Sequence, residues 1–61
     1  MSTRETGVLK WVAMGKSYSE IAEIFSISER TVKFHMSNVS SKLEVRTAKQ
    51  AVYKAINIGM V

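Results

Sequence analysis

Apolar residues recur along this chain at the three-to-four-residue spacing of helices that each bury one face. Val8, Leu9 and Val12 form the first such face, and Ile21, Ala22, Ile24 and Phe25 the second. Val32, Met36, Val39 and Leu43 then make a stripe at i, i+4, i+7 and i+11, and Ala48, Ala51, Val52, Ala55 and Ile56 make the fourth face. Polar residues punctuate the pattern. Ser2-x-x-Glu5, Ser17-x-x-Glu20 and Thr47-x-x-Gln50 have the form of capping boxes, in which a hydroxyl accepts from the N3 amide while the N3 side chain reaches back. Ser28 supplies a fourth N-cap hydroxyl, with Glu29 beside it at the positive end of a helix. Gly15 and Gly59 stand where helices should stop, since glycine enters the left-handed conformation freely. The pattern predicts helices over about 3–14, 18–25, 29–43 and 47–58. They are joined by Gly15-Lys16-Ser17, Ser26-Ile27-Ser28 and Glu44-Val45-Arg46, while Ile27, Val45 and Met60 are placed to plug the ends of the core. The expected fold is all-α: one compact four-helix domain over residues 1–61.

Composition narrows the function classes. At 61 residues, 46% hydrophobic, the chain has room for one small core and no second domain. It closes no enzyme pocket, so no catalytic residue and no small-molecule ligand are expected. Without cysteine there is neither a disulfide framework nor a thiolate metal site, which favours a reducing, cytoplasmic setting. No apolar run approaches the roughly 20 residues of a membrane span. The opening Met1-Ser2-Thr3-Arg4-Glu5 carries a charge pair and no apolar run, so no signal peptide is expected there. The net charge of +4 is unevenly spread. Up to Glu29, Arg4, Lys10 and Lys16 are outweighed by Glu5, Glu20, Glu23 and Glu29; beyond it, Arg30, Lys33, Lys42, Arg46, Lys49 and Lys54 face Glu44 alone. A near-neutral half joined to a basic half suits a polyanion partner, although a solvated lysine-rich surface would account for the charge by itself.

The second and third helices carry the informative arrangement. Three residues separate them, the length of a helix-turn-helix, with Ala22 where the helices come closest and Ile21, Phe25, Ile27 and Val32 filling the angle. Ser26 occupies a turn position where glycine is frequent. At roughly 100° per residue, Arg30, Lys33, Phe34, Ser37, Asn38 and Ser41 lie opposite the core stripe of the third helix. Arg30 or Lys33 alone reads as ordinary surface. The whole stripe, on the helix that follows the turn, reads as a groove-recognition face. There Phe34 can pack on a thymine methyl while Lys33 donates to guanine O6 or N7. Thr31, Asn38 and Lys42 flank the stripe and are placed to hold phosphates.

Other residues have blander readings. His35, alone at the edge of the core stripe with no carboxylate or second histidine at ligand spacing, is expected to be a satisfied packing residue, so no metal or other cofactor is implied. Glu5 falls on the apolar face of the first helix, where the capping box is its simplest role. Trp11 flanks the first core stripe. Tyr53 lies off the inner face of the fourth helix and, with Ala48, Val52 and Ala55, offers a small dimer patch; a simple surface tyrosine is the other reading.

Taken in order, Ser2-Thr3-Arg4-Glu5, Val8-Leu9, Ala13-x-Gly15-Lys16, Glu20-Ile21-Ala22, Ile27-Ser28, Thr31-Val32-Lys33-x-His35, Asn38-Val39, Lys42-Leu43, Ala51-Val52 and Gly59-Met60-Val61 resemble the LuxR-type, or GerE-like, helix-turn-helix domain. The resemblance runs over essentially the whole chain. It implies a third helix in the major groove and a fourth that mediates dimerisation on a palindromic operator in double-stranded DNA. By position it implies base reading by Lys33, Phe34 and Ser37, and backbone contacts from Ser28, Thr31, Asn38 and Lys42. Arg30, Ser41 and Arg46 are further candidates for DNA contact. Gly7 departs from the family, standing where a helix-favouring residue is usual, at a cost of about 1 kcal/mol relative to alanine. Leu9-Lys10-Trp11, Gly15-Lys16 and Lys33-Phe34-His35 look most like the acyl-homoserine-lactone-responsive branch, which implies a quorum-sensing parent with a separate sensor domain.

The leading expectation is therefore sequence-specific DNA binding by a bacterial transcriptional regulator, the chain forming the C-terminal domain of a longer homodimeric protein or a complete small regulator. The competing expectation is a protein-interaction module whose third helix docks on a partner such as RNA polymerase.

Overall fold

The computed structural model describes all 61 residues. Its elements are four helices: α1 (Thr3–Ala13), α2 (Tyr18–Phe25), α3 (Glu29–Lys42) and α4 (Ala48–Asn57). Each begins where a hydroxyl side chain satisfies an orphan amide. The Oγ atoms of Ser2, Ser17 and Ser28 accept from the amides of Glu5, Glu20 and Thr31, each at 3.1 Å. Glu5 and Glu20 reach back to the Ser2 and Ser17 amides, completing two capping boxes. The third expected box is displaced by one residue. Thr47 Oγ1 accepts from the Gln50 amide, but Gln50 Oε1 takes the amide of Arg46 rather than that of Thr47. Thr47 is more extended than the serine caps (φ −129° against −72° to −75°), which is the local difference that accompanies the shift.

All four helices end the same way, with paired 6→1 and 5→2 hydrogen bonds around one left-handed residue. Gly15 (φ +88°) and Gly59 (φ +78°) were expected in that role; Ser26 (φ +55°) and Glu44 (φ +59°) fill it without glycine. The amides of Ile27, Val45 and Met60 donate to the carbonyls of Ala22, Ser40 and Ala55, closing the wider loop at the ends of α2, α3 and α4. Their side chains turn inward and pack on the core, as expected of end plugs.

The helices close around Val8, Leu9, Ile21, Ala22, Val32, Met36, Val39, Leu43, Ala51 and Ala55. Helix α3 is the hub: it packs on each of the other three, while α2 and α4 do not touch. Val12, Phe25, Ala48 and Val52 are half-buried and lean on this core, as does Trp11. Two residues expected inside, Ile24 and Ile56, are exposed. Each lies roughly 100° around its helix from the centre of the buried face, so α4 turns only its alanines fully inward. Gly7 has a local explanation: a Cβ there would stand 3.1 Å from Phe25 Cζ, under a ring that also receives the Arg4 guanidinium 4.7 Å from its centroid.

Candidate nucleic-acid interface

Helix α3 presents three distinct surfaces outside the core. Its outermost face carries Arg30, Phe34, Ser37 and Ser41, all exposed, with Phe34 open to solvent over 61% of its surface. Leaving most of a phenyl ring in water forgoes part of a burial worth about 1.5–3 kcal/mol. At its start, Ser28 Oγ and Thr31 Oγ1 share a hydrogen bond of 2.8 Å, which orders the turn that aims α3 outward.

One edge of α3 faces α1. Here Lys42 Nζ donates to Glu5 Oε1 at 2.7 Å, and Glu5 is only 6% exposed. The Lys42 hydrogen bond, the Ser2 amide and Asn38 together outweigh desolvation and lower the Glu5 pKa to about 2 from its ordinary 4.5. The same kind of capping contact from Ser17 lowers the pKa of Glu20. In the free chain Lys42 is thus turned to Glu5, and a phosphate contact from Lys42 has to compete with this pair. Glu5, read from the sequence as a cap alone, also ties α1 to α3. The other edge of α3 borders a cavity of about 540 Å³ whose lining includes Lys33 and Ser37, with Tyr18 from α2 and Arg46 from the α3–α4 turn. Tyr18 escaped the sequence reading because it lies on another helix, fifteen residues before Lys33.

His35 is half-buried beside Phe34, ring centroids 6.1 Å apart, and its Nδ1 is shielded without a hydrogen-bond partner. It packs as expected, but that nitrogen is not satisfied. No three His, Asp or Glu side chains converge in a metal-binding group, and no helix is long and apolar enough to cross a membrane. On α4, Ala55 is fully buried and cannot belong to an exposed dimer patch. The exposed apolar residues there are Tyr53, 71% open, and Ile56, beside the half-buried Val52. Lys54 Nζ donates to the Leu43 carbonyl at 2.6 Å and fastens α4 to the end of α3.

The family model for bacterial regulatory proteins, luxR family, matches residues 1–55. The chain belongs to this family. Among luxR-family relatives, it is 48% identical over 60 residues to the transcriptional activator protein EsaR of Pantoea stewartii subsp. stewartii, covering 98% of this chain and 24% of that protein. It is 49% identical over 61 residues to the transcriptional activator protein SolR of Ralstonia solanacearum, covering 100% of this chain and 26% of the relative. It therefore spans about a quarter of the length of these relatives. Its fold superposes on the solved structure of the transcription factor GerE with a TM-score of 0.91 at 30% identity, over 98% of this chain and 90% of that one. The luxR-family match makes the domain a DNA-binding regulatory module rather than an enzyme, in line with the outward stripe on α3.

Proposed function

We propose that this luxR-family domain reads a specific DNA sequence by laying α3 in the major groove, and that it does so as a dimer on a palindromic operator. The observation that carries the proposal is the exposed face of α3, where a large aromatic, cations and hydroxyls share one surface held out by a capped turn. Lys33, Phe34 and Ser37 meet base edges, with Phe34 on a thymine methyl and Lys33 on a guanine. Ser28, Thr31, Asn38 and Lys42 fix register on the backbone, with Arg30, Ser41 and Arg46 beside them. Two copies meet through Val52, Tyr53 and Ile56 on α4, placing half-sites about one helical turn apart. The chain serves as the DNA-reading, C-terminal part of a longer cytoplasmic regulator, a reading supported by its coverage of about a quarter of its relatives. Its likeness to the lactone-responsive branch at Leu9-Lys10-Trp11 and Lys33-Phe34-His35 favours a quorum-sensing parent.

The test is fluorescence anisotropy of the 61-residue chain on a randomised duplex pool at two salt concentrations, with sequencing of the bound fraction. A steep salt dependence with enrichment of a palindrome is the expected result. Salt-dependent binding without enrichment would remove the specific, dimeric part of the proposal. Failure to bind any duplex at low salt would overturn it in favour of a protein-docking role for α3, with RNA polymerase the first partner to try.

A further inference from the structure

The open groove on the Lys33 edge of α3 sets Lys33 and Ser37, proposed above as base readers, beside side chains of other elements that the base-reading face does not use. It lies where the starts of α2 and α4 both approach α3, and it is open to solvent, with a volume of about 540 Å³. Lys33 and Arg46 bring two cations to its lining, Tyr18, Ser37, Ser40 and Ser41 bring four hydroxyls, and no carboxylate is present. Neither cation is engaged in an ion pair, since the chain's one salt bridge is Lys42 with Glu5. Two points of the lining are held by the fold. Tyr18 is half-buried against the core, and the Arg46 amide is held by Gln50 Oε1 at 2.9 Å. A set of N–H and O–H donors with net positive charge and no acceptor anion is built for an oxyanion.

Its position says which oxyanion. A helix with side chains is about 10–12 Å across and fills a major groove about 12 Å wide, so the flanks of a groove-reading helix meet the sugar-phosphate walls. Lys33 lies roughly 100° around α3 from Phe34, on such a flank. We infer that Tyr18 and Arg46 form a clamp for a DNA backbone phosphodiester at the edge of the groove, with Lys33 at its boundary with the bases. The inference rests on the DNA-reading role proposed above. It adds Tyr18 of α2 to the interface, so that a single phosphate is gripped from α2 and from the α3–α4 turn together.

Methylphosphonate scanning tests it. Each phosphate of the duplex selected from the randomised pool is replaced in turn by its neutral methylphosphonate, and anisotropy is measured for the chain and for the Tyr18→Phe/Arg46→Gln double variant. Phenylalanine keeps the packed ring and Arg46 is exposed, so circular dichroism should show an unchanged fold. One phosphate is expected whose neutralisation weakens the unaltered chain but leaves the double variant unmoved. Tyr18→Phe alone should weaken selected and random duplexes alike, by about two- to tenfold. Arg46→Gln should lower the salt slope by about one unit. Inorganic phosphate, titrated without DNA and read at the Tyr18 and Arg46 amides by NMR, separates the two sources of this anion. Tight phosphate binding with unchanged DNA affinity in both variants would overturn the DNA clamp, as would a scan in which no phosphate distinguishes the double variant. Failure of the unaltered chain to bind duplex sinks the DNA-reading role itself; sequence-selective binding with inert variants sinks the clamp alone.

Discussion

Glu5→Gln isolates the tie between α1 and α3. Glutamine keeps a carbonyl oxygen that can accept from the Ser2 amide, so the capping box can survive while the charge facing Lys42 is lost. The lowering of the Glu5 pKa from 4.5 to about 2 sets a ceiling of about 3.4 kcal/mol, at 1.36 kcal/mol per unit. Not all of it is at stake. The Ser2 amide supplies part of the shift, and Lys42 is 50% exposed, so its ammonium can turn to water when its partner is neutral. A cost of about 1–2 kcal/mol near pH 7 is expected after that discount. For a domain of this size it lowers Tm by about 4–15 °C.

The pH dependence makes the prediction specific. A carboxylate whose folded pKa is depressed contributes its full stabilisation above its unfolded value and loses it as protons bind the folded state. The difference between Glu5→Gln and the unaltered chain should therefore be constant above about pH 5.5, shrink as pH falls through 4.5, and vanish near 2. Glu20 adds its own acid sensitivity, but it is present in both proteins and cancels in the comparison. Urea titrations followed by circular dichroism across this range supply the measurement, and a Lys42→Met cycle with Glu5→Gln should show non-additivity at neutral pH alone. A destabilisation that persists unchanged at pH 2.5, or additivity of the two variants at pH 7, would refute the ion-pair reasoning and leave Glu5 as a cap.

Phe34→Ala should leave the thermal melt in place, because the ring is largely in solvent, yet weaken the selected duplex by about 1–3 kcal/mol with relaxed preference at one base pair. Equal losses on selected and random DNA in anisotropy titrations would contradict base reading. Glu44→Gly should raise stability by about 0.5–1 kcal/mol in urea, since glycine relieves a left-handed backbone, whereas Glu44→Ala should give no such gain. Ile56→Asp, on the exposed side of α4, should spare the fold and single half-site binding while removing cooperativity between two half-sites; full cooperativity in the variant would place the dimer contact elsewhere.

The helices were legible because their ends are written in local chemistry. Ser2, Ser17, Ser28 and Thr47 act within a few residues of their own helix starts, and Gly15 and Gly59 carry their conformational meaning alone. What escaped depends on neighbours distant in sequence. Glu44 takes a left-handed conformation that its residue type disfavours, because Val45 is drawn onto the core and its amide reaches the Ser40 carbonyl. Ile24 and Ile56 fit a helical period but lie at the margin of their faces, where partner width rather than spacing decides burial. Alanines at 51 and 55 let α4 sit close to the core, and that closeness leaves Ile56 outside.

The same distinction separates the parts of α3. Its outward face could be drawn from angular position alone, since every member belongs to one helix. Its two edges could not, because each is completed from elsewhere: Glu5 of α1 stands against Asn38 and Lys42, while Tyr18 and Arg46 stand beside Lys33. The consequence is a division of labour along a single helix. On the α1 edge the half-exposed Lys42 shares its charge with Glu5 and helps to hold α3 in place, whereas cations on the opposite edge and outer face carry no internal ion pair. A basic helix that must be both fixed and available gains from such an asymmetry, because a lysine paired with a carboxylate must give up that pair to hold a phosphate, while an unpaired one adds little to the fold. The positive charge of the second half of the chain is therefore not one property, and salt should weaken DNA binding through the Lys33 edge far more than it weakens folding through Glu5.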